Sequence, residues 1–410
     1  MAHCFLLAIA GTLMVHPATL FEGQVLLILT VLLMVPGSNP TEFTRAILAA
    51  AIGGIGVGAA AFAATWEGLG RHETLQTMRS LGIPLAWLLA VVLGWRRFPM
   101  GLWMAAAVNG LGHLAVAVQT VRLSPIYWEN DLGWIGGESR IFVKIFDAPN
   151  LIYATTMSST AFGAVIAGAV YFGARGILKK SACLACTLGF LAISTWLGNK
   201  ASTYAVTSCW LLAYLVSSRG TGSLILKLAG LATVSVVVLL AFSERFANEG
   251  RAARLTGDFD PTFTGRTAIW ADHIQDVWRY PLGVTINRAT DEIGLTEHNT
   301  ALQVARVFGW IPGAVMFCGL AVLALSIPSL WFAGGESRKT WLPFLIAGAG
   351  PCVMMASMES LALGASGAMY GLYGMIGVAL TAQWRCQASS ARASASMGPH
   401  SVPLAAGVCR

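Results

Sequence analysis

Residues Ile47–Trp66 read ILAAAIGGIGVGAAAFAATW, an apolar run with no charged side chain. At a helical rise of about 1.5 Å per residue, such a run crosses the hydrocarbon core of a bilayer, which is about 30 Å thick. Runs of the same kind recur at 81–94, 101–121, 151–172, 182–198, 204–216, 224–242, 302–332, 342–357 and 363–384. Two shorter ones, 5–16 and 24–36, precede Ile47, and each is short for a full span. Counting both gives about 12 helices, and counting them as one gives 11.

Composition agrees with that reading. The chain has 410 residues, 56% hydrophobic and 11% charged, where a soluble domain carries roughly 25% charged residues. A soluble helical enzyme would alternate apolar and polar residues at helix period; these runs do not. The expected fold is therefore an all-α integral membrane protein of about 12 transmembrane helices with one large external loop. The bilayer is an expected partner and nucleic acid is not. Residues 1–16 lack a basic n-region, and Val15-His16-Pro17 is a poor cleavage context, so a retained first helix is expected.

Charge placement orients the spans, because short cytoplasmic loops are enriched in Lys and Arg. Arg45, Arg96-Arg97, Arg175, Lys179-Lys180, Arg219, Lys227, Arg338-Lys339, Arg385 and Arg392 fall on one side; Arg71 and Arg79 fall on the other. With 12 spans, both termini are cytoplasmic and the long loop is outside. The chain divides into spans 1–9 over residues 1–242, the large loop over 243–300, spans 10–12 over 301–385, and a Ser/Ala-rich disordered tail over 386–410.

Eight cysteines raise the question of metal or disulfide sites. Cys183 and Cys186 form a C-x-x-C that opens an apolar helix, with no second pair or neighbouring His to complete a zinc set. They read as small apolar helix residues. Asp258-Phe259-Asp260 is the one Asp-x-Asp, and its Gly and Pro neighbours make it a turn rather than a metal pair. No metal or cofactor is expected.

Two external segments carry the polar groups. Arg122–Asn150 mixes Tyr127, Trp128 and Trp134 with Glu129, Asp131, Arg140, Lys144 and Asp147, a pattern that suits an interface belt or a sugar-binding surface. Ser243–Thr300 holds Arg245, Arg251, Arg254, Arg266, Arg279 and Arg288 among nine acidic residues and two histidines. Those Arg side chains either pair with the loop's own carboxylates or form an anion site suited to phosphate oxygens, and composition leaves both open. Within the loop, Thr267–Trp278 aligns Ile269, Trp270, Ile274, Val277 and Trp278 on one stripe with Asp272, Gln275 and Asp276 opposite. Thr264 can cap this helix, and Pro281 with Gly283 ends it. Arg266 then sits at its N-terminus, where the helix dipole also favours an anion. His298 falls at the outer mouth of the next span, where it is either part of a capping cluster or a proton acceptor.

These pieces occur in a recognisable order: Thr264-Gly265-Arg266-Thr267-Ala268-Ile269-Trp270, Tyr280-Pro281-Leu282-Gly283, His298-Asn299, and Gly309-Trp310-Ile311-Pro312-Gly313. The order resembles the O-antigen ligase and polymerase family of bacterial envelope enzymes, including exopolysaccharide polymerases. The likeness is close over roughly Thr264–Gly313 and elsewhere extends to helix count and loop placement. Gly198-Asn199-Lys200-Ala201-Ser202 and Ser357-Met358-Glu359-Ser360 echo it loosely at two outer turns. Pro281-Leu282-Gly283-Val284-Thr285 departs from it by lacking the second Gly usual after the turn.

The resemblance implies a metal-independent glycosyltransferase in the bacterial inner membrane, its active site facing the periplasm. Its donor would be an undecaprenyl-diphosphate-linked glycan and its acceptor a sugar hydroxyl, on lipid A–core for a ligase or on a growing glycan for a polymerase. His298 would be the general base, and Arg266 the leading cation on the leaving diphosphate. Arg288, Arg251, Arg254 and Lys200 would add cations, with Asn299 and Glu359 holding substrate or orienting the imidazole. A lipid-linked sugar transporter is the reading from another class; it would need ionisable groups along a pathway inside the membrane, and the clear spans have few.

Overall fold

The structure, a computed structural model, describes residues 2–14, 19–66, 71–94, 103–112, 114–115, 142–145, 148–151, 153–196, 200–218, 220–233, 264–284, 299–333, 335–358 and 367–396. These residues form 14 helices and one two-stranded hairpin. Helices α1 (Ala2–Leu13), α2 (Leu20–Met34), α3 (Pro40–Trp66) and α4 (Arg71–Gly94) come first, followed by α5 over residues 103–112. Next are α6 (Tyr153–Gly173), α7 (Ile177–Trp196), α8 (Lys200–Val216) and α9 (Thr221–Thr233). The last five are α10 (Thr264–Arg279), α11 (Thr300–Phe308), α12 (Trp310–Ala333), α13 (Gly335–Met358) and α14 (Gly367–Ser396).

Four of these helices are long and apolar enough to cross a membrane: α3, α4 from Thr77, α12, and α13 from Trp341. Shorter apolar helices join them, as expected of a multi-pass membrane protein. Helix α3 shows how the sequence builds one. Asn39 Oδ1 accepts the Glu42 backbone N–H at 3.0 Å, and the Asn39 N–H donates back to Glu42 Oε2 at 3.5 Å. Pro40 fills the first helical position, where its missing donor costs nothing. The helix then buries Ala46, Gly56, Ala60, Ala63 and Ala64 and exposes Ile47, Leu48, Ile52, Ile55 and Phe62. Small residues inside and large apolar residues outside is the arrangement of a helix that packs closely on its neighbours and faces lipid.

The centre of the bundle is α4, α6, α13 and α14. Helix α14 packs on α4, α6, α12 and α13, and α13 also packs on α6, α8 and α12. Trp87, Phe162, Leu345, Met355, Met369, Leu372 and Met375 are fully buried there. Around them, α3 and α12 keep most of their surface outward. Some basic residues meet aromatic rings in this bundle. The Arg45 guanidinium lies 4.8 Å from the Trp384 ring, bringing the start of α3 against α14. Lys227 Nζ donates to Tyr214 O at 2.6 Å and Ser217 Oγ at 2.8 Å, and Lys180 Nζ lies 5.6 Å from the Tyr171 ring.

Four features depart from the sequence reading. Residues Phe142–Ile145 and Ala148–Leu151 pair as antiparallel strands β1 and β2, so α6 starts at Tyr153 rather than 151. The run 302–332 is two helices, not one, because Gly309 holds φ +97° between α11 and α12. Helix α14 continues to Ser396, into the stretch read as a disordered tail; its alanines are strong helix formers. Helix α13 begins at Gly335, so Arg338-Lys339 lie on helical backbone rather than in a loop. Tyr127, Trp128, Glu129, Asp131, Trp134, Arg140 and Asp147 lie outside the described residues.

Candidate functional site

The segment Thr264–Val284 and the segment Asn299–Gly313 form one packed unit. Its first part, α10, reads TGRTAIWADHIQDVWR and is amphipathic, as its periodicity predicts. Its inward face differs from the expected stripe. His273 is buried, Trp270, Asp276 and Val277 are half-buried, and Ile274 and Trp278 are exposed. Asp276 turns inward because it meets a cation: Arg306 Nε of α11 donates to Asp276 Oδ2 at 3.0 Å, and the Arg306 side chain is 3% exposed. A guanidinium that dry requires a carboxylate partner. The Trp310 indole N–H donates to Val277 O, and the Trp278 and Trp310 rings meet edge-on with centroids 5.0 Å apart.

After Arg279 the backbone turns and docks. Tyr280 N–H donates to Asp276 O at 2.8 Å, and Gly283 N–H to Tyr280 O at 2.9 Å. The turn then joins the α11–α12 junction through Val284 N–H to Arg306 O at 2.8 Å and Trp310 N–H to Pro281 O at 3.0 Å. Both contact points are glycines with positive φ, +93° at Gly283 and +97° at Gly309. A Cβ on Gly283 would lie 2.4 Å from Val307 O, and one on Gly309 would lie 2.8 Å from Pro281 O. Only glycine allows two backbones to approach this closely.

Helix α11 opens at Asn299, whose extended backbone and Oδ1, accepting the Leu302 N–H at 3.0 Å, make it an N-cap. Below the cap, Thr300, Gln303 and Arg306 are buried at i, i+3 and i+6, a polar stripe along one face of the helix. This stripe runs from the residue after Asn299 down to the ion pair with α10.

The expected site residues fall around this unit. Arg266 is on the first turn of α10, where its backbone position aligns at helical period with Trp270, His273 and Val277. The first-turn N–H groups of a helix have no intrahelical partners, and the dipole at such an end favours an anion. Asn299 caps α11, and Lys200 is the first residue of α8. The side chains of Arg266 and Lys200 lie outside the described residues, as do His298, Arg288, Arg251, Arg254 and Glu359 altogether. His298 immediately precedes Asn299 in the chain, and Glu359 follows the end of α13. The sequence reading missed Gln303 and Arg306, absorbing them into an apolar span, and left Thr300 as the last residue of the external loop. Their spacing of three was the signal available. No family model matches this chain, and no curated protein does.

Proposed function

We propose that this chain is a multi-pass glycosyltransferase of the O-antigen ligase and polymerase type. It would cross the bacterial inner membrane about 12 times, with the α10–α11 region on the periplasmic side. It would move a glycan from undecaprenyl diphosphate to a sugar hydroxyl, on lipid A–core for a ligase. The observation that carries this reading is the docking of the motif pieces. The Gly-Arg-Thr helix, the Pro281-Leu282-Gly283 turn, the residue following His298 and the Gly309–Gly313 junction belong to one unit joined by Asp276–Arg306 and two backbone hydrogen bonds.

The chemistry suits those residue types. The departing diphosphate gains charge at the bond that breaks, and fixed guanidinium and helix N-terminal N–H groups stabilise it without a metal. Arg266 is assigned that role first, with Arg288, Arg251, Arg254 and Lys200 as further cations and Glu359 as an acceptor-holding group. The acceptor hydroxyl is a poor nucleophile, and His298 takes its proton as it attacks the anomeric carbon opposite the diphosphate. Such attack inverts the anomeric centre.

The test is transfer from a polyprenyl-diphosphate glycan to lipid A–core by purified protein in detergent, with no membrane gradient. Turnover by the native chain and its loss in a folded His298→Ala variant are expected. Activity unchanged in that variant removes His298 from the mechanism, and no turnover with any glycan acceptor removes the transferase reading. In cells, loss of all O-antigen from core marks a ligase, whereas attachment of single repeats marks a polymerase.

A further inference from the structure

Helices α2, α4 and α14 carry a second polar cluster that contains none of these motif residues. Gln24 of α2 is 3% exposed and Tyr370 of α14 is 2% exposed; Gln24 contacts Arg79 of α4, and Tyr370 lies within electrostatic reach of that guanidinium. Arg79 Nε donates to Gln24 Oε1 at 3.0 Å. Because a guanidinium only donates, this bond fixes the amide with its NH2 group facing away from Arg79. The buried Gln24 and Tyr370 side chains approach each other, but neither Gln24 Nε2 nor the Tyr370 hydroxyl makes a hydrogen bond of good geometry among the described residues. The Trp87 ring lies 6.0 Å from that of Tyr370, and its indole N–H is a further buried donor without a partner.

The side-chain groups left over are a guanidinium fork, an amide NH2, a phenol and an indole N–H. All can donate, and the phenol alone can also accept. Buried polar groups are normally satisfied, and each one left unpaired costs free energy. A charged residue within an apolar helix is a functional-site signal in its own right. Gln24, Arg79 and Tyr370 all fall in the first three turns of their helices, so the cluster lies near one end of the bundle.

We infer that Arg79, Gln24 and Tyr370 form a binding site for a phosphate oxyanion at the membrane surface, as a lipid headgroup or as free phosphate. Bidentate donation from Arg and one donor each from the amide and the phenol match the oxygens of a phosphate group. The cluster is drawn from α2, α4 and α14 and shares no residue with Thr264–Gly313, so binding there is read independently of glycan transfer.

The test uses the full chain in dodecyl maltoside, which contributes no phosphate. The shift in its unfolding temperature is titrated with short-chain phosphatidic acid and with inorganic pyrophosphate. Diacylglycerol and chloride at matched ionic strength are the controls. Stabilisation by phosphatidic acid alone identifies a lipid headgroup, and stabilisation by both identifies the phosphate itself. Arg79→Gln should weaken the apparent affinity about 10- to 100-fold, the range for a lost charge-assisted hydrogen bond. Tyr370→Phe, which removes one hydroxyl and keeps the packing, should weaken it about tenfold. Equal stabilisation by the controls, or native affinity in Tyr370→Phe and Arg79→Gln together, overturns the inference.

Discussion

Gly283→Ala is the sharpest probe of the docked turn. The new methyl would sit 2.4 Å from Val307 O and 2.8 Å from Gly309 N, both backbone atoms, so no side chain can swing aside. Holding φ near +93° adds strain of about 1–3 kcal/mol for a residue with a side chain. Relieving the clash means parting the two backbones, which gives up Val284 N–H to Arg306 O and Trp310 N–H to Pro281 O. Each hydrogen bond contributes roughly 1 kcal/mol, so the local cost is about 3–5 kcal/mol. Gly309→Ala should act alike, since φ +97° with ψ 176° is a region that glycine alone occupies readily. Gly54→Ala is the matched control, because a Cβ there meets nothing within 4 Å. Hydrogen exchange at the Val284 and Trp310 amides is the assay. An opening cost lower by 3 kcal/mol speeds exchange by roughly 100-fold. Native exchange at both amides in Gly283→Ala, or the same acceleration in Gly54→Ala, would refute the docking.

Asp276→Ala removes the carboxylate that the buried Arg306 guanidinium pairs with and should cost about 3 kcal/mol in reversible mixed-micelle unfolding. Asp276→Leu with Arg306→Met should recover most of that loss, and single effects that simply add would show that the two side chains are not partners. Asn299→Ala should cost about 1 kcal/mol and expose the Leu302 amide to exchange, whereas Asn299→Asp keeps an oxygen at the cap and its protection. Arg266→Lys keeps the charge but loses the planar fork, so in the transfer assay it should retain more activity than Arg266→Gln.

The helices were legible in sequence wherever a side-chain pattern marked them. Ile47–Trp66 declares itself by its lack of charge, and α10 by its period of 3.6 and its Pro281–Gly283 stop. Which way α10 faces was not legible. Trp278 and Ile274 suggested a hydrophobic stripe, but burial is decided by Arg306, thirty residues away from Asp276. That Arg was itself hidden in an apolar run, where hydropathy averages over the Gly309 break. The docking of the turn on the α11–α12 junction was equally silent, because its hydrogen bonds join backbone to backbone and leave no residue-type signature beyond two glycines. The motif order marked the place in the chain but not the contacts that hold it together.

The length of the opening helices has a consequence for the lipid around them. Helix α1 has 12 residues, or about 18 Å at the helical rise, against a hydrocarbon thickness of about 30 Å, whereas α2 is extended by a 3-10 turn over Val35–Gly37 and comes nearer to that thickness. A bilayer meeting the short α1 face would thin, at a cost of fractions of a kcal/mol per ångström of mismatch. Thinning would draw the headgroup layer inward along α1 and the α2 it packs on, toward Gln24 and the Arg79 guanidinium bound to it. Hydrophobic mismatch on this flank would thereby shorten the distance a phosphate must travel to reach its donors, and acyl-chain length would tune how readily the two meet.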